Sequence, residues 1–234
     1  MLYEIAGLLV SCEGCGERFL AQAGPYAAGQ TEREPDIIVA VDEAELASAM
    51  SQCTLCEDDC RYILSGMRFY FELLRLGGLM LHSSAVVAGG VAYLFSGPSG
   101  VGKSTHTGNW LKIIDGAYIL NDDKPALRLI DGRFYACGTP WSGKHDISRN
   151  EIVPLGGICF LERDDTNWIE SVSGTEAVAL LLSQTTRNIR PERMNSLLEL
   201  VDRLIADVPV YRLHCTAGIS AAEVSYETMR RDNQ

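Results

Sequence analysis

The chain opens on an apolar stretch, Ile5 to Val10, and passes through a Gly/Ala/Pro-rich polar stretch, Ala21 to Pro35. Asp36-Ile37-Ile38-Val39-Ala40-Val41 then predicts a strand, and a short helix is expected over 42–50. Glu57, Asp58 and Asp59 place negative charge where a helix N-terminus favours it. Ile63, Leu64, Met67, Phe71 and Leu74 follow at helical spacing until Gly77-Gly78. Two largely apolar runs, Leu79 to Ala88 and Val91 to Phe95, are separated only by Gly89-Gly90, a two-residue hairpin signal. Ala126 to Ile130 and Arg133 to Cys137 flank Asp131-Gly132 in the same way. Gly157 to Leu161 and Trp168 to Val172 flank a turn of Asp, Thr and Asn, which predicts a third hairpin. Helical patterns cover 175–182 and 191–206, and a late strand over 208–213 precedes a polar tail.

These hairpins argue against a doubly wound sheet, whose parallel strands need helical crossovers. The expected fold is α/β with α+β character: a mixed, hairpin-rich sheet with flanking helices. Residues 1–56 read as a small N-terminal module packed on a core domain over 57–234.

At 47% hydrophobic over 234 residues, the chain has material for a sizeable core. Its formal net charge of −11 argues against nucleic acid as a partner, because duplex binding leaves a basic footprint. A phosphate ligand would need a local device such as a Gly-rich anion nest. The N-terminus carries an early acid and no basic region, and no apolar run reaches the length of a membrane span. The expected location is cytoplasmic, with no membrane partner.

One stretch supplies that device. Gly97-Pro98-Ser99-Gly100-Val101-Gly102-Lys103-Ser104 fits G-x-x-x-x-G-K-[ST], with an apolar strand before it and a helix-compatible stretch after it. Backbone N–H groups of such a loop, extended to Thr105, wrap the phosphates of ATP, and the helix adds its positive end. Lys103 would reach the β- and γ-phosphates, and the Ser104 hydroxyl would ligate Mg2+. Asn121-Asp122-Asp123 ends another apolar run, so two carboxylates emerge together; one can face the metal and its neighbour the acceptor. A turn before Lys124-Pro125 is the structural alternative.

From Leu81 to Asp123 the chain resembles the catalytic domain of HPr kinase/phosphorylase and, more distantly, the nucleotide site of ATP-dependent phosphoenolpyruvate carboxykinase. His82 opens the strand whose hairpin partner enters the loop, then come Gly97 to Ser104 and the apolar-Asp-Asp segment. The resemblance implies a mixed sheet, Lys103 on the phosphates, Ser104 and Asp123 on Mg2+, and Asp122 as proton acceptor. It places His82 near the phosphates, although a hydrogen-bonded core histidine fits that position too. It further implies an ATP-dependent phosphotransferase acting on an alcohol, a seryl group of a peptide or small protein or a small-molecule alcohol, in a chain that can form homo-oligomers. The family's glutamate-arginine-glycine segment is replaced here by Tyr135 to His145, so HPr itself is not the expected substrate.

Three further features stay open. Arg187, Arg190 and Arg193 lie between two helical patterns; Arg187 is the one best suited to clamp a phosphoryl group, and a solvated connection is the alternative. Thr139-Pro140-Trp141-Ser142-Gly143-Lys144 suits a loop closing over an acceptor, with Trp141 and Lys144 as its binding residues, or else a packed turn. Cys12-x-x-Cys15 and Cys53-x-x-Cys56 complete a zinc site only if the fold joins them; their long separation favours free thiols. A rival function is an ATP-binding regulatory or interaction module without phosphoryl transfer, with residues 1–56 as its partner surface.

Overall fold

The structure, a computed structural model, describes residues 1–185 and 191–231. Strands β1 (Leu2–Ile5) and β2 (Leu8–Glu13) form an antiparallel hairpin about Ala6-Gly7. β3 (Ile37–Ala40) adds parallel to β2, closing a three-stranded sheet in the order β1-β2-β3. Helix α1 (Glu17–Ala23) lies within the first crossing, so the polar stretch begins in a helix rather than in a loop. Helix α2 (Glu43–Gln52) starts where the Asp42 carboxylate accepts from the N–H groups of Ala44 and Glu45. Helix α3 (Glu57–Leu73) carries the three predicted acids in its first turn.

The remaining strands are β4 (Gly78–Met80), β5 (Ser83–Ala88), β6 (Val91–Ser96), β7 (Tyr118–Asn121), β8 (Ala126–Ile130), β9 (Arg133–Cys137), β10 (Ile152–Arg163), β11 (Trp168–Val172) and β12 (Val210–Cys215). Helices α4 (Lys103–Ile113), α5 (Gly174–Ser183), α6 (Pro191–Asp207) and α7 (Ile219–Arg231) flank them. The strands build one nine-stranded mixed sheet, in the order β4-β8-β9-β10-β6-β5-β7 with β12 on β10 and β11 on β12. This is the mixed α/β architecture expected from the hairpins.

Three local expectations are corrected. The run Leu79 to Ala88 is two strands: β4 pairs with β8, and only β5 pairs with β6. The segments 157–161 and 168–172 do not form a hairpin, because β12 enters between them, parallel to β10 and antiparallel to β11. The polar tail is largely helix α7.

Alternation along the strands divides the interior. Val86, Tyr93, Phe95, Cys159 and Leu213 pack with Trp110 of α4 and Met229 of α7, whereas Ala85, Val87, Leu94, Ile158 and Phe160 face the core under α5 and α6. The small sheet shares a third core with α3, β8 and β9, including Phe19, Tyr62, Phe69, Tyr70 and Trp141. Residues 1–56 are therefore closed over the main sheet by common side chains.

Strands β6, β7, β10 and β12 all run the same way, with β5 antiparallel between β6 and β7. Their C-terminal ends deliver residues 97–102, 122–123, 164–165 and 216–217 to one edge of the sheet. Ligands of open α/β sheets bind at such an edge.

Candidate functional site

Strand register brings the predicted residues together. Ser83 pairs with Ser96, which sets His82 opposite Gly97 at the next position out. The Ser96 hydroxyl donates to the His82 carbonyl at 2.8 Å, and the Ser83 N–H donates to the Asp123 carbonyl at 3.0 Å. The loop, the histidine and the paired aspartates thus meet because three strand ends are hydrogen-bonded to one another.

The loop turns sharply off β6. Gly97 has φ of +137°, and a Cβ there would lie 3.1 Å from the Leu161 carbonyl oxygen, so only glycine fits. Gly102, φ +121°, ends the loop, and no side chain caps α4, which leaves its first N–H groups for a ligand. Lys103 Nζ donates to the carbonyls of Gly97 at 3.0 Å and Pro98 at 3.5 Å. Burial lowers the Lys103 ammonium below the ordinary lysine range, and the charge of Asp123 opposes that shift. Behind the loop, Arg163 donates from Nη2 to the Gly100 carbonyl at 2.5 Å and from Nε to that of Val101 at 3.5 Å. The Ser104 hydroxyl is exposed at the start of α4.

Asp123 has a cationic or histidine partner on each oxygen. Its Oδ1 lies 3.0 Å from His82 Nε2 and its Oδ2 lies 2.5 Å from Lys124 Nζ. Burial alone would push Asp123 up, but the hydrogen bond from His82 and the charge of Lys124 hold it well below the usual carboxylate range. The other edge of the His82 ring, Nδ1, meets Gln184 Oε1 at 3.2 Å, and the His82 N–H donates to the Gln184 carbonyl at 2.8 Å. Gln184 follows α5 and carried no sequence signal. Arg163 did: a charged residue closing a long apolar strand at the ligand edge marks such a position.

Asp122, expected as the proton acceptor, is hydrogen-bonded to backbone N–H groups. Its Oδ1 accepts from the Gly143 N–H at 2.6 Å and its Oδ2 from that of His145 at 3.3 Å, so it anchors the loop 141–146. Burial pushes its carboxyl up, and the two N–H groups partly offset that.

The same loop corrects Trp141. Its side chain is 1% exposed, stacked on Phe69 with ring centroids 4.8 Å apart, and its Nε1 donates to Ser65 Oγ at 3.0 Å. It is a core residue. Lys144 is exposed beside the aspartates; a Cβ on neighbouring Gly143 would lie 3.1 Å from Asp123 Cβ. Arg187 lies outside the described residues. Residues 1–56 take part in ways the sequence did not signal: Gln22 Oε1 accepts from Tyr62 and Ser142, its Nε2 donates to Asp146 at 2.6 Å, and Arg18 lies 3.7 Å from Asp146.

The two CxxC pairs stay apart. Cys12 and Cys15 lie in the core of the small sheet, and Cys53 Sγ lies 3.6 Å from Cys60 Sγ at the α2–α3 junction. Among the described residues, no three His, Cys, Asp or Glu side chains are grouped to hold a metal ion. No described helix is long and apolar enough to cross a membrane.

Two cavities open on either side of the loop. One of about 690 Å³ lies along α4, toward the ends of β10 and β12. The other, about 410 Å³, runs from Gly97 and Pro98 to Gln184.

No protein-family model matches the sequence, and no curated protein matches it. Among solved structures, the HPr(Ser) kinase/phosphatase from Coxiella burnetii is similar to this chain with a TM-score of 0.36 and 11% identity, over 66% of this chain and 89% of that one.

Proposed function

We propose that the chain is a magnesium-dependent ATP kinase that moves the γ-phosphoryl group to an alcohol, most suitably a seryl group of a peptide or small protein. The observation that carries this reading is the meeting of Lys103, Asp123 and His82 at a loop of G-x-x-x-x-G-K-S spacing. Asp123 lies 3.0 Å from His82 and its charge is felt by Lys103. In such a site the backbone and Lys103 hold the phosphates, and positioning supplies most of the catalysis.

Magnesium bound with ATP takes most of its ligands from phosphate and water and needs one or two protein oxygens. Ser104, exposed at the start of α4, suits that role. The ion would supply charge neutralisation at the β/γ oxygens. The acceptor oxygen bonds to the γ-phosphorus, the bond to the β–γ bridging oxygen breaks, and the hydroxyl proton passes to Asp123, whose carboxylate His82 orients. Lys144, exposed beside the aspartates, suits a carboxylate on the acceptor.

A second reading, nucleotide binding without transfer, draws on one observation: Asp122 is engaged by Gly143 and His145, which leaves a single carboxylate at the phosphates. Transfer from γ-labelled ATP to a panel of seryl peptides separates the two. Asp123→Asn is expected to lose transfer by about 10²-fold or more, the range of a general base, while Asp122→Asn keeps it within about tenfold. Lys103→Ala is expected to abolish the rise in Tm caused by Mg·ATP. Full transfer by Asp123→Asn, with loss in Asp122→Asn, would return the proton to Asp122. A Tm rise without transfer by the wild-type chain to any acceptor would favour the binding module.

A further inference from the structure

The larger cavity has a charge pattern and a wall that select a particular ligand class. Gly102, Thr105, His106 and Asn109 line it from one face of α4, so it begins where the phosphate loop ends. The γ-phosphate end lies on the opposite side, since Lys103 Nζ points to Gly97 and Pro98 and is under the influence of Asp123. Asp164 and Asp165 stand on the far wall. Arg163, which also lines the cavity, already donates to the carbonyls of Gly100 and Val101. A further anion is therefore repelled, and a neutral group rich in hydrogen-bond donors is favoured.

The wall opposite α4 is built rather than loose. Asn109 Nδ2 donates to the Ala217 carbonyl at 3.2 Å, and Asn167 Oδ1 accepts from the Thr216 N–H at 2.8 Å. A cavity of about 690 Å³ lies within the usual range for small-molecule sites.

His106 adds a buried ring nitrogen. Its Nε2 lies 3.0 Å from Ser225 Oγ, which also receives the indole N–H of Trp110 at 2.9 Å. Burial lowers its pKa to about 4, so the ring is neutral. Nδ1 has no partner among the described residues, on a side chain 4% exposed that lines the cavity.

We infer that this cavity takes the nucleoside half of the nucleotide, with the ribose diol donating to the Asp164/Asp165 wall and His106 Nδ1 hydrogen-bonded to a polar group of the nucleoside. The assignment rests on the Gly97–Ser104 loop being a triphosphate site.

The test is titration of the full chain, with magnesium, by ATP, by inorganic tripolyphosphate and by 2′,3′-dideoxy-ATP. Ala217 is exposed, so Ala217→Trp fills the cavity from its rim without entering the core. The variant is expected to bind ATP at least about tenfold more weakly and tripolyphosphate within about twofold of wild type. Wild type is expected to bind the dideoxy analogue about tenfold more weakly than ATP, a comparison that needs no variant. Unchanged ATP affinity in Ala217→Trp, or equal affinities for ATP and its dideoxy analogue, would overturn the nucleoside assignment and leave the loop standing. A wild-type chain that binds neither ATP nor tripolyphosphate would remove the loop reading and this assignment together.

Discussion

Asp122 and Asp123 are neighbours in the chain, but their surroundings push them in opposite directions. Asp122 is raised by burial and spends its oxygens on two backbone N–H groups, whereas Asp123 is held low by His82 and Lys124 against the effect of burial. A carboxylate with a depressed folded value contributes stability that is present above its unfolded value, about 4, and lost as pH falls through the folded value. The stability gap between wild type and Asp123→Asn is therefore expected to be full at neutral pH and to close progressively below about pH 4. Thermal melts of both proteins from pH 7 to pH 2 measure this, and a gap that stays constant with pH would refute the ion-paired account of Asp123. That two carboxylates emerge together was legible in the Asn-Asp-Asp segment at a strand end. Their different partners were not, because those of Asp122 lie in loop 141–146, which is remote in sequence.

Elements whose pairing is local were legible, and those that depend on distant chain were not. The hairpins β5–β6 and β8–β9 follow from Gly89-Gly90 and Asp131-Gly132, which supply left-handed backbone at the turns. The turn after β10 has similar chemistry, yet β12 enters between its arms, and no local signal announces that insertion. Helix α7 was missed because its buried face is built largely of small residues, Ala221, Ala222 and Ser225, rather than of large apolar ones. Trp141 was read as a binding residue of a loop over the acceptor or as part of a packed turn, because its neighbours are turn formers, while the pocket that receives it is made by α3. Gly66 is the telling position: a Cβ there would lie 2.9 Å from Trp141 Cδ1. Glycine to alanine in a helix interior ordinarily stabilises by about 0.5–1 kcal/mol. Here Gly66→Ala is expected to destabilise by about 1–3 kcal/mol through overpacking. Combined with Trp141→Leu, the cost is expected to be less than the sum of the two single changes, because they share one contact. Urea melts of the four proteins decide this, and stabilisation by Gly66→Ala alone would mean that the indole is not seated against α3.

At the scale of the whole molecule, the mixed sheet was legible from hairpins, and residues 1–56 were read as a small module packed on the core domain; the contacts they make there were not legible. Gln22 and Arg18 buttress the loop that Asp122 anchors. The central strand has a consequence in time rather than in shape. β10 pairs with β9 through Ile152 to Pro154 and then with β6 and β12 on its two sides through Ile158, Cys159 and Phe160, all buried. Opening those residues requires both flanking strands to leave together, which is close to global unfolding, whereas β1 and β3 are edge strands with one paired neighbour each. In hydrogen–deuterium exchange, the amides of Ile158 to Phe160 are therefore expected to be among the last to label, at a rate set by global stability. Those of β1 and β3 should label earlier, through partial openings that leave β10 protected. Early labelling of Ile158 to Phe160 would show that the two halves of the sheet open independently, with β10 as a seam between them and no longer their shared centre.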